Sequence, residues 1–331
     1  MTYLLALALP FFHSAKIEPP PAERIRALAS YSSAHGGHAL LVWQDGRILH
    51  ESYTNGHSRR EPHRIYSGTK AFWCLTAFAA EKDGLLDLDD RVSDTITEWR
   101  DDKRRSRITI RQLLDFSSGM EPVFGLHENE YKDRTASALR ASIVGTTGKS
   151  FIYGPAALQV YHELLARKLR AEKQTPVRYL ERRVLGPLDL GPQRYLPDRH
   201  GAPLLAAGFM QTARQWSELG NWMLKHDDML SKIHSSSANR AYGFGFWNNH
   251  AAESKSAREV DVEDMLDKKW HEQSWSNACL CRSAPADLMA CIGSYGQRLY
   301  IVPSMKLVIV RLAKDSKPND AQMLRLLFAK P

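Results

Sequence analysis

Signals for β-structure occupy the two ends of this chain and signals for helix fill its middle, and that distribution constrains the fold more than any other feature. Residues 38–43 and 47–53 are apolar segments joined by Gln44-Asp45-Gly46, a hairpin signature. Far downstream, residues 288–292, 298–302 and 307–312 form short β-rich runs punctuated by Gly293, Gly296 and Pro303. Between them the apolar spacing is helical over residues 71–81, 110–116, 136–144, 156–169, 176–184 and 213–224, with further helices at 22–33 and from Asp320. Strands so separated bury their apolar faces together if both ends enter one sheet. The expectation is an α+β chain: an antiparallel sheet from residues 16–75 and 240–331 flanked by helices, a mainly helical subdomain inserted over 76–239, and a cleft between the two. No internal repeat is visible.

With 331 residues, 43% hydrophobic, the chain can bury a substantial core, and no stretch of about 18 apolar residues predicts a membrane span. The net charge of +8 is not concentrated: Lys103, Arg104, Arg105 and Arg107 follow Asp101 and Asp102 without aromatic interleaving, which reads as a solvated loop and argues against a nucleic-acid partner. Cys74, Cys279, Cys281 and Cys291 lack zinc-site spacing; buried thiols are expected, with one disulfide among the last three left open for an exported protein. Residues 3–12 form a short apolar run ending in His-Ser-Ala, similar to a secretory signal but with no Lys or Arg ahead of it. Export with loss of residues 1–15 and an intracellular location both fit.

Ser67-Gly68-Thr69-Lys70 opens the apolar helix at 71–81. Residues three apart project from one helical face, so an ammonium can reach the serine hydroxyl. This is the only S-x-x-K in the chain, and it lies where helix N–H groups favour a nascent alkoxide. A buried helix would desolvate Lys70 and lower its pKa toward the neutral form that a base requires. A capping serine, the alternative, needs neither property.

Further motifs follow in order. Glu81-Lys82-Asp83-Gly84-Leu85-Leu86 ends the helix, Ile108-Thr109-Ile110-Arg111-Gln112-Leu113-Leu114 comes next, and Ser117-Ser118-Gly119-Met120 follows. With the S-x-x-K, these residues resemble the penicillin-recognising serine hydrolases: class C β-lactamases, D-alanyl-D-alanine carboxypeptidases, family VIII esterases and 6-aminohexanoate-dimer hydrolases. The resemblance covers most of the chain and implies a β-lactamase/transpeptidase-like fold. It makes Tyr153, in Phe151-Ile152-Tyr153-Gly154-Pro155, the counterpart of the family's Y-x-N tyrosine. A phenol near Lys70 would be held partly as phenolate and shuttle the Ser67 proton. It also matches Cys291-Ile292-Gly293 to the family's Lys-Thr-Gly or His-x-Gly strand. Gly293 would let substrate approach the strand, and the N–H groups of Ser67 and Ser294 would form the oxyanion hole, with Cys291 and Tyr295 at the substrate.

Two departures narrow the chemistry. Pro155 stands where the family has asparagine, and Cys291 replaces the cation that grips a substrate carboxylate. The resemblance therefore implies a neutral ester or amide, unless Arg298 supplies the charge. The run Gly293 to Pro303 (G-x-x-G-Q-x-x-Y-x-x-P) is most similar to the esterase and dimer-hydrolase branches. A β-lactamase or D-Ala-D-Ala carboxypeptidase, and a non-catalytic binding module on the same scaffold, are the alternatives.

Other chemistry is weakly signalled. Gly145-Thr-Thr-Gly148-Lys149-Ser150 lacks the first P-loop glycine, His127-Glu128 lacks a second histidine four residues on, and Ser294 lacks the first glycine of a nucleophile elbow. Trp216, Trp247, Trp270 and Trp275 read as core or cleft walls, with Trp270 and Trp275 able to line an acyl pocket. No metal or organic cofactor is implied, and the expected partner is a small ester, amide or peptide-like substrate.

Overall fold

A computed structural model of the chain describes residues 17–128, 130–233 and 238–329, so the signal-like segment at 1–15 lies outside the described residues. Seven strands form the main antiparallel sheet: β1 (Gly37–Gln44), β2 (Arg47–Tyr53), β3 (Tyr242–Gly243), β4 (Phe246–Asn248), β5 (Met289–Gly293), β6 (Gln297–Val302) and β7 (Leu307–Ala313), in the order β2-β1-β7-β6-β5-β4-β3. The two chain ends meet where β1 pairs with β7, Leu41 opposite Val310 and Gln44 opposite Leu307. The β1/β2 hairpin turns through Asp45 (φ 44°) and Gly46 (φ 86°), the left-handed pair that a two-residue turn demands. The fold is α+β, as expected.

The sheet is covered on both sides, which is why β5, β6 and β7 are buried at every position rather than at alternate ones. On one face Arg311 of β7 reaches Ser32 of helix α1 (Ala22–Ala34). Strand alternation turns Val308 to the other face, against Gly220, where a Cβ would come within 2.6 Å of it. That glycine belongs to the later helix that spans Ala213–Met223.

Helix α2 (Thr69–Lys82) is buried along nearly its whole length and ends at Gly84 (φ 72°). Beyond it come α3 (Pro155–Leu169), α4 (Ala213–Met223) and the C-terminal α5 (Asp320–Phe328). Two expected helices are shorter than their apolar spacing. The first spans Arg134–Arg140, after which Ile143 bridges to Met120 in extended conformation. The second is α-helical only over Pro176–Leu180 before widening into a π-turn at Glu181–Leu185.

The helical middle also hides strands that no periodicity announced: Phe209–Gln211 pairs with both His63–Arg64 and Arg194–Tyr195 in a small second sheet. The basic run is not a free loop. Arg104 donates to the Gly145 carbonyl at 2.8 Å and Arg105 to that of Ala141 at 2.7 Å, pinning residues 140–145. All four cysteines are buried free thiols, so no disulfide joins the last three. Among the described residues no helix is long and apolar enough to cross a membrane.

Candidate active site

Ser67 sits in a 3-10 turn, Tyr66–Gly68, that runs directly into α2. Three contacts hold the turn. The Ile65 N–H donates to the Phe209 carbonyl at 2.9 Å, and the Thr69 hydroxyl accepts from the Phe209 N–H at 3.1 Å, so the small sheet grips both sides of the serine. Gly68 is required because the fully buried Trp216 of α4 lies where its Cβ would be, 2.5 Å away. Tyr66, immediately before the serine, has φ 47°, a conformation that a bulky residue adopts only when its surroundings impose it.

Lys70 is completely buried while Ser67 remains partly open to solvent. Its Nζ lies 2.8 Å from Ser67 Oγ and donates to the Ala206 carbonyl at 2.9 Å. Among the described residues no carboxylate pairs with it, and the Cys74 thiol one turn along is itself pushed up by burial, hence neutral. Desolvation therefore dominates and lowers Lys70 to about 7. A substantial neutral fraction at physiological pH can take the Ser67 proton.

Tyr153 faces the same pair: the Ser67 hydroxyl is among the groups that act on its phenol, and the Lys70 ammonium sits 4.6 Å from its ring centroid. The tyrosine segment is laid along residues 116–119 by the Ile152 N–H to the Phe116 carbonyl (2.9 Å) and the Gly148 N–H to that of Ser117 (2.8 Å). The expectation of a partial phenolate is corrected. The ring lies among Phe116, Phe151, Tyr242 and Trp247 at 4.8, 6.2, 5.7 and 5.9 Å, and burial pushes the phenol well up, outweighing the opposite pull of the Ser67 hydroxyl. The Tyr153 phenol is thus neutral, and Lys70 is the group whose titration falls near neutrality.

The third-motif strand is β5. Gly293 abuts the serine turn: a Cβ there would fall 2.1 Å from the Ile65 carbonyl oxygen, so the glycine serves the chain's own packing rather than substrate approach alone. Ser294 and Tyr295 lie beyond it on an exposed turn. Cys291 differs from the expectation of a substrate contact, being fully buried with its thiol pushed well up by burial. Arg298 cannot replace the missing cation. It is fully buried, donating to Asp320 at 2.7 Å, to Glu263 at 2.7 Å and to the carbonyls of Gly293 and Gln297 at 3.0 Å each. Pro155 occupies the first turn of α3, where its missing N–H costs nothing.

Sequence reasoning therefore located the groups around Ser67 but not their supports. The Ala206 carbonyl comes from a segment without a motif. His127, set aside on spacing, is held at about 3 by burial and by the charges of Lys70 and Arg64, which makes it a neutral imidazole whose Nδ1 has no hydrogen-bond partner among the described residues. Trp270 and Trp275 line a cavity of about 480 Å³, and Trp275 packs 5.7 Å from Phe151 and 4.9 Å from Trp247, one ring removed from Tyr153.

The family model described as Beta-lactamase matches residues 22–329. Among solved structures, a class C β-lactamase from Rhodobacter sphaeroides superposes with a TM-score of 0.64 at 16% identity, covering 92% of this chain and 97% of that one. EstCE1, a hydrolase with promiscuous acyltransferase activity, gives 0.65 at 16% identity over 93% and 98%. A Bacillus anthracis protein assigned as a 6-aminohexanoate-dimer hydrolase gives 0.62 at 18% identity over 88% and 78%. No curated protein matches.

Proposed function

Because the chain belongs to the beta-lactamase family, we propose that it is a serine hydrolase that cleaves a carboxylic ester or amide through an acyl-enzyme on Ser67. The observation that carries this reading is the buried Lys70 Nζ, without a counter-ion among the described residues and 2.8 Å from a serine oxygen that solvent can still reach. Neutral Lys70 takes the Ser67 proton as Oγ attacks the substrate carbonyl carbon. The oxyanion is received by the N–H groups of Ser67 and Ser294. The intermediate collapses as the Tyr153 phenol protonates the leaving oxygen or nitrogen, and the Lys70 ammonium returns a proton to Tyr153. Water, activated by the same groups, then releases the acid and restores Ser67.

The substrate in this reading is uncharged at the position where the family grips a carboxylate. Cys291 is a buried neutral thiol, Arg298 is consumed by Asp320 and Glu263, and Pro155 offers no amide. This favours an ester or simple amide over a β-lactam or a D-Ala-D-Ala peptide. Ser67→Ala should abolish p-nitrophenyl acetate hydrolysis and fluorophosphonate labelling while the melting temperature is kept. A Ser67→Ala protein as active as wild type sinks the assignment. Labelling by a fluorescent penicillin instead of the fluorophosphonate would favour the β-lactam reading, and labelling by neither a non-catalytic one.

A further inference from the structure

The turn after β5 is braced far beyond what a surface loop requires. Gln297, fully buried, donates to the Tyr295 carbonyl at 3.0 Å and to that of Ala313 at 2.7 Å. Arg298 holds the Gly293 and Gln297 carbonyls, and Arg311, also fully buried, donates to that of Gly296 at 2.7 Å. Glu263 accepts from the Tyr295 N–H at 2.9 Å while paired with Arg298. All this fixes Tyr295 at φ 61°, with the residue 46% exposed and its ring 5.0 Å from that of Tyr66, the residue before Ser67. Tyr66 is backed in turn by the Arg64 guanidinium at 4.4 Å.

A second exposed ring stands on the segment that flanks Tyr153. Pro122 packs so closely on Gly154 that a Cβ there would lie 2.3 Å from it, and two residues on, Phe124 is 59% exposed. Phe124 stacks at 6.5 Å on His127, the imidazole kept neutral by burial first and then by the charges of Lys70 and Arg64. Large hydrophobics exposed to this degree are few among the described residues: Ile48, Phe124, Val144 and Tyr295. Two of the four stand beside residues that neighbour the site: Tyr295 against Tyr66, which precedes Ser67, and Phe124 on the segment packed on Gly154, which follows Tyr153. A rigidly held, solvent-exposed aromatic surface beside a reactive centre is a binding surface for something apolar.

We infer that Tyr295 and Phe124 are specificity-determining residues that receive an extended apolar or aryl acyl group free of charge. The inference rests on the acyl-enzyme reading above and names its substrate class. The acyl chain would lie along the Tyr66–Tyr295 pair with Phe124 closing on it, each fully buried methylene adding about fourfold to kcat/KM.

The test is a series of p-nitrophenyl esters: acetate, hexanoate, phenylacetate, pentanoate and the hydrogen succinate, a near-isostere of pentanoate that carries a carboxylate. Wild type should favour hexanoate and phenylacetate over acetate by at least about tenfold in kcat/KM, and pentanoate over succinate by a similar factor. Tyr295→Ala with Phe124→Ala should bring the hexanoate-to-acetate ratio down to near one, whereas Tyr295→Phe, which keeps the ring, should preserve it. Fluorophosphonate labelling of Ser67 in each variant shows that the site is folded. A ratio unchanged in the double variant, or a preference for succinate, overturns the inference while leaving the hydrolase reading intact. Absence of both turnover and labelling in wild type overturns both.

Discussion

Lys70 concentrates the chemistry of the site in one atom because the fold buries its ammonium and provides a carbonyl and a hydroxyl but, among the described residues, no carboxylate. Its ordinary pKa near 10.5 drops to about 7, so kcat/KM should rise with pH through that value as the base form appears. The sign for stability is the same. A lysine depressed in the folded state binds fewer protons there than in the unfolded chain between about 7 and 10.5, so this group makes stability increase with pH across that window. Lys70→Met should lower kcat/KM by about 10²–10⁴-fold yet melt no lower than wild type at pH 7, since it removes a buried charge from a hydrophobic helix. A pH–rate profile flat between pH 6 and 8.5, or a marked loss of melting temperature in Lys70→Met, would contradict this account.

At the scale of elements, the short strand His63–Arg64 links the nucleophile turn to a cluster of histidines. The His38, His57 and His63 rings lie 5.1 to 5.9 Å from one another, joining β1, the turn after β2 and the strand that leads into Ser67. His63 Nδ1 is 3.0 Å from the Arg64 carbonyl, and His57 Nδ1 lies 3.4 Å from Glu61, with Lys314 and Asp315 the other charges nearby. Burial first, then mutual repulsion, lowers His38; burial also lowers His63 against the pull of the Arg64 carbonyl. Histidines depressed in the folded state take up protons more readily when unfolded, so stability should fall as pH drops below about 6.5 and level off below their folded values. His50, His127 and His162 act in the same sense. Replacing His38 and His63 together by Asn, whose amide can still donate to the Arg64 carbonyl, should flatten the fall in melting temperature between pH 7 and 5. An unchanged slope would mean that the cluster does not contribute.

Across the whole molecule, the fully buried Arg298 ties the third-motif turn to the buried Asp320 at the start of α5 and to the partly exposed Glu263. Arg298→Leu would leave the buried Asp320 and the partly exposed Glu263 without their cation, so it should cost about 3–5 kcal/mol in urea unfolding; a loss below about 1 kcal/mol would show that the carboxylates relax into water instead. This arginine shows how legible the chain was. Read as a sequence it was a spare cation near the site, and nothing local could show that a carboxylate 22 residues later would claim it. The small sheet around Phe209 was invisible for a related reason, because strands of two or three residues are made by their partners and leave no periodicity of their own. The hairpin, the buried α2, the meeting of both chain ends in one sheet and the placing of Lys70 one turn after Ser67 were all determined by the sequence alone. Each depends on residue spacing and local backbone preference, which the chain carries along its own length. Which groups are charged, which are exposed and which face Ser67 was decided only by tertiary structure. Burial, and the partners brought in from distant segments, set the electrostatics that keep the Tyr153 phenol neutral where a partial phenolate was expected and bring Lys70 down to about 7.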